Sequence, residues 1–99
     1  MTATLKRLCS CIVEFISSHA TDPHLYFELK MSREVAAADS VDALVVLMRH
    51  LLDWVDALDI SASQMTRLDT KLSGAGLPPY SVLRSAEDHE VCDVLADAL

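Results

Sequence analysis

The sequence predicts an all-α fold: a compact bundle of about five helices with short connections, forming a single helical domain over residues 1–99. Three observations carry this. Apolar residues recur at three- and four-residue spacing along most of the chain, which is the period of an amphipathic helix. The two glycines and three prolines fall between such stretches, where they stop or start helices. Only Leu25–Met31 alternates in the manner of a strand, and no second alternating stretch exists to pair with it.

The first helix is expected over about residues 5–17, capped by Thr2 or Thr4 and ended by Ser17 and Ser18. Leu5, Leu8, Cys9, Ile12, Phe15 and Ile16 form its inner stripe. Asp22-Pro23 supplies a start signal for the second, with Asp as cap and Pro in the first turn. Residues 24–31 carry two readings, helix or strand. A lone strand leaves its backbone groups unpaired unless it pairs with a second copy, so a helix running into Arg33–Ala38, with a break near Ser32, is favoured.

Asp39 or Ser40 caps a third helix, Val41–Leu58. Its apolar residues cover well over half its circumference, and Trp54 is assigned to the core with them. Ser61 and Gln64 then form a capping box, flanked by Ile60 and Met65 as a hydrophobic staple. Leu68 and Leu72 continue that helix until Gly76, placed for a left-handed stop before Pro78-Pro79. Tyr80–Arg84 reads as a connector or a helical turn with Tyr80 exposed. Ser85 opens the last helix, roughly residues 86–98.

Composition narrows the function. Eight Lys and Arg stand against fifteen Asp and Glu, giving a net charge of -7. Such a charge is repelled by nucleic acid and by anionic membranes, so neither is an expected partner. Fifty-two per cent of the residues are apolar, more than a monomer of 99 residues needs to fill its core. A partner surface is the natural use of the surplus.

Cys9, Cys11 and Cys92 are an odd set without disulfide spacing, which fits a reducing cytoplasm. Lys6-Arg7 before Leu8–Ile16 outlines a faint signal peptide, but Ser10 and Glu14 interrupt it.

No enzyme motif occurs, and no catalytic residue, cofactor or metal is expected. His89 and Cys92 share a helix face, yet they lack the four-ligand spacing of a zinc site. A phospho-acceptor role for His50 is disfavoured by Asp53 three residues on, which repels a phosphoryl group.

The carboxylates are the remaining signal. Asp42, Asp53 and Asp56 fall on one side of the third helix, Asp59 follows, and the last helix carries Glu87, Asp88, Glu90, Asp93 and Asp97. The expected partner-binding residues are Asp53, Asp56, Asp59, Tyr80, Glu87, Asp88, Glu90 and Asp93. They describe an acidic protein-binding module, of the inhibitor, immunity or antitoxin kind, that neutralises a basic protein such as a nuclease toxin. The alternative is a homodimeric structural or small-ligand-binding helical domain.

Overall fold

The computed structural model describes residues 1–19 and 25–98. Among them are six α-helices, one 3-10 turn and no strand. They run α1 (Thr2–His19), α2 (Leu25–Ala37), α3 (Val41–Ala57), α4 (Ala62–Gly74), α5 (Tyr80–Ser85), the 3-10 turn Asp88–Glu90, and α6 (Val91–Ala98). The helical reading of the alternating segment holds, and α2 continues through Ser32 without a break. Its backbone donors are satisfied within the helix, which no unpaired strand could achieve. The Asp22-Pro23 start signal lies outside the described residues.

α1 is the central packing element and touches α2, α3 and α4. Leu5, Leu8 and Ile12 of α1 meet a core that includes Leu44, Met48, Leu51 and Leu52 of α3, all fully buried. Each such side chain contributes roughly 1.5–3 kcal/mol by leaving water. Met31 and Val35 seat α2 on this core. Lys6 Nζ donates to the Ala36 carbonyl at 3.1 Å, closing an orphan acceptor in the last turn of α2. Among the described residues no charged group is buried.

Local signals set the ends of α3 and α4. The Ser40 hydroxyl accepts from the Ala43 N–H at 3.2 Å and caps α3. The Ser61–Gln64 box is formed reciprocally at the start of α4. At its end Gly76 adopts φ 74°. The Leu77 N–H donates to the Leu72 carbonyl at 2.9 Å and the Gly76 N–H to the Ser73 carbonyl at 3.0 Å. This pair of bonds is a Schellman stop, and it folds buried Leu77 back beside buried Leu72.

The C-terminal third departs from expectation. Tyr80–Ser85 is a helix, and the helix expected from residue 86 is divided into a 3-10 turn and α6. Ser85 does not cap forward: its hydroxyl donates back to the Ser81 carbonyl at 2.7 Å. Ala86 is extended at ψ 136°, and Glu87 opens the 3-10 turn in a capping box with Glu90.

Two aromatic assignments are reversed. Trp54, expected in the core, is 48% exposed, and Tyr80, expected at the surface, is 7% exposed. α3, whose apolar residues cover well over half its circumference, is buried along one arc only.

Candidate partner-docking face

The angular positions along α3 explain both reversals. At about 100° per residue, buried Leu44, Val45, Met48, Leu51, Leu52 and Val55 occupy one arc of about 120°. A second arc of similar width points the other way and carries Ala43, Val46, Leu47, His50, Trp54 and Ala57. Val46 is 55% exposed, and Ala43, His50, Trp54 and Ala57 are also exposed. The sequence marks both arcs as apolar. Among the described residues, helix packing buries only the first of them.

Two open hollows lie along this outward arc, and a third lies on the flank of α3 beside its N-terminal half. One of about 370 Å³ is lined by His50, Asp53, Trp54 and Ala57. A second, of about 280 Å³, is lined by Glu34 of α2 and by Ala38 just after it, with Ala43, Val46, Leu47 and His50. The third, of about 460 Å³, is lined by Val41, Asp42, Val45 and Val46 with Asp88, His89 and Cys92. His50 joins the first to the second, and Val46 joins the second to the third. The result is a trough that runs along α3 from Ala57 to Ala43, roughly 21 Å at 1.5 Å per residue, and turns onto the flank of the helix at Asp42. Its lining holds four carboxylates, Glu34, Asp42, Asp53 and Asp88, and no Lys or Arg among the described residues.

Internal bonds sort the predicted acidic residues. Arg84 spans Asp53 and Asp56 at 2.9 and 2.7 Å. The Tyr80 hydroxyl donates to the Asp56 carboxylate and stands 3.1 Å from the Leu52 carbonyl oxygen. Its backbone N–H donates to Asp69 at 2.8 Å. Burial, and then the adjacent Asp56 carboxylate, push the Tyr80 phenol well above the ordinary tyrosine range. Tyr80 is thus an internal brace between α5 and α3, with no area left for a partner. The signal that would have found it is the Asp69–Tyr80 spacing across the Pro-Pro corner, which only the folded chain brings together.

Arg49 does similar internal work. Its Nε meets Asp88 at 2.7 Å, and its terminal nitrogens donate to the Leu83 carbonyl at 3.3 Å and to the Ala86 carbonyl. The planar fork suits this task, satisfying carbonyls at the end of α5 while fixing the 3-10 turn.

Asp59 ends α3 in the left-handed region at φ 51°, a conformation Asp tolerates better than most residues. Glu87 and Glu90 are exposed and close the capping box, and Asp93 is exposed on α6. Among the described residues no Lys or Arg pairs with Glu34, Asp42, Asp59, Glu87, Glu90 or Asp93. Of the acidic residues of the last segment, Asp88 lines the trough, and Glu87, Glu90 and Asp93 are its exposed neighbours in the 3-10 turn and α6. The structure commits Asp53, Asp56 and Tyr80 largely to internal contacts.

The metal-type donors that converge within 4.8 Å are Glu87, His89 and Glu90, all exposed; Cys92 is not among them. Glu90 Oε1 is engaged by the Glu87 N–H at 3.1 Å and His89 Nδ1 lies 3.5 Å from Glu87, so the cluster is accounted for by the cap. Cys9 is buried, and burial pushes its thiol up to about 12, an inert core residue. No described helix is long and apolar enough to cross a membrane.

No protein-family model, no curated protein and no solved structure matches the chain. Its surface chemistry is argued from its own residues.

Proposed function

We propose that this chain is a non-catalytic protein-binding module that engages a basic protein through the outward face of α3 and the acidic turn beside it. The observation that carries the reading is the trough itself: an exposed apolar strip centred on Val46 and Trp54, bordered by four carboxylates of which Glu34 and Asp42 have no Lys or Arg partner among the described residues. An apolar centre with a charged rim is the anatomy of a protein interface. The apolar part supplies affinity, and the charge supplies orientation and association rate. The net charge of -7 extends that attraction beyond the contact itself. An inhibitor, immunity or antitoxin-like role in the cytoplasm, placing carboxylates against a basic surface such as a nuclease site, is the particular form this reading takes. Asp42, Glu87, Glu90 and Asp93 are the acidic residues assigned to the contact, with Asp88 and Asp53 at its edge.

The test is affinity capture at low and high salt, followed by association kinetics on the retained basic protein. Asp42→Lys with Asp93→Lys should slow association roughly tenfold while leaving dissociation nearly unchanged. Equal association rates for both forms, with no salt dependence, would remove the reading. A homodimer is the second reading, favoured by the apolar strip alone and opposed by the carboxylates along its rim.

A further inference from the structure

We propose that the occupant of the α3 trough is an amphipathic, basic α-helix of a partner protein, laid along α3. The proposal rests on the protein-binding reading and specifies the partner. The first argument is spacing. Ala43, Leu47, His50, Trp54 and Ala57 follow one another at four, three, four and three residues. That alternation is the seam of a helix that packs lengthwise on another helix. The small residues at its two ends, Ala43 and Ala57, let a second backbone approach, and Trp54 offers a large apolar surface between them.

The second argument is hydrogen bonding. The backbone N–H and C=O groups inside α3 are already paired within the helix. An extended peptide laid on such a face would find no backbone partners, whereas a helical occupant satisfies its own. The third is charge. Glu34 and Asp42 line the trough with no Lys or Arg paired to them among the described residues, so lysines or arginines flanking the occupant's apolar stripe meet opposite charge there, while Asp53 and Asp88 are already held by Arg84 and Arg49. A second copy of this chain would instead bring these carboxylates against their own equivalents, in molecules each carrying -7.

The single tryptophan stands in the trough and reports on its occupation. The probes are three synthetic peptides of about 18 residues, long enough as helices to run the length of α3. One has leucines at heptad spacing with lysines elsewhere. The second has the same composition, scrambled so that no apolar stripe forms. The third replaces every lysine of the first with glutamate.

The striped Leu/Lys peptide should shift Trp54 emission to the blue, saturating at one peptide per chain. The scrambled peptide should bind at least roughly tenfold more weakly, and the Leu/Glu peptide should not bind. Val46→Asp should weaken the striped peptide roughly tenfold, with its urea midpoint confirming that the variant is folded. This substitution adds negative charge, so a purely electrostatic contact would strengthen instead.

Equal binding of the striped and scrambled lysine peptides, unmoved by Val46→Asp, would overturn the helix while leaving the basic-partner reading standing. Failure of both lysine peptides at low salt would count against the two together. A mass near twice the monomer, lost in Val46→Asp, would place a second copy on this face and overturn the proposal.

Discussion

The two sides of α3 have nearly the same chemistry and opposite fates. The inward arc places Leu44, Met48, Leu51 and Leu52 at 0% exposure; the outward arc leaves Val46 at 55% and Trp54 at 48%. Residue type does not by itself decide between them, since valine and leucine occur on both. What distinguishes them is whether a neighbour arrives. α1 lies along the inward arc, while α2 and the Asp88–Ala98 segment reach only the margins of the outward one, where they form the walls of the trough. An apolar arc is therefore a statement about what a helix would bury, and the chain buried one of two.

The comparison is broken or sharpened most sharply by truncation. Leu51→Ala should cost about 2–5 kcal/mol, because it removes a fully buried side chain from a packed core. Val46→Ala, on the same helix, should change stability by no more than about 0.5 kcal/mol. Urea unfolding measures both; comparable losses would mean that the outward arc is covered in solution.

A smaller effect is expected at the brace between the two arcs. Tyr80→Phe removes the hydroxyl that donates to Asp56 and approaches the Leu52 carbonyl, a loss of about 1 kcal/mol. It also changes the response to alkali. In the folded chain the phenol holds its proton beyond the ordinary value of 10.0. A folded-state value above the unfolded one means the stabilisation is complete below about pH 10 and is lost as pH rises beyond it. The Cys9 thiol, raised from 9.0 to about 12 by burial, acts in the same direction. Stability should thus decline from about pH 9 upward, and Tyr80→Phe should flatten the upper part of that decline. An unchanged alkaline limb would mean that the hydroxyl does not brace α5 to α3.

An effect of similar size is expected at a helix end away from both arcs. Gly76→Ala places a Cβ in the left-handed region at φ 74° and should cost about 1 kcal/mol. No heavy atom lies within 4 Å of the added carbon, so the cost is conformational and not steric crowding. A thermal melt in parallel with Val46→Ala would separate this backbone effect from the surface baseline.

Legibility in the sequence followed the range of the interaction. The caps at Ser40 and Ser61 and the stop at Gly76 involve partners within about one turn, and these were readable because the local chain contains both halves of each bond. The end of α5 failed the same treatment. Ser85 has a choice between capping forward and bonding back to Ser81, and the distant Arg49 fork, 37 residues from Ala86, decides it by holding the Leu83 and Ala86 carbonyls. The acidic residues were legible as a set but not in their roles. Asp53 and Asp56 lie 31 and 28 residues before Arg84, and only the fold brings that guanidinium between them.

The sequence by itself determined the all-α fold, the ends of α3 and α4 and the excess of negative charge, because period, capping and composition are properties of neighbouring residues. The tertiary structure decided which apolar arc of α3 became core, that Tyr80 turned inward while Trp54 stayed out, and which carboxylates kept no cation. These are properties of what packs against what, and a chain with more apolar surface than its own helices can cover leaves that choice to their arrangement.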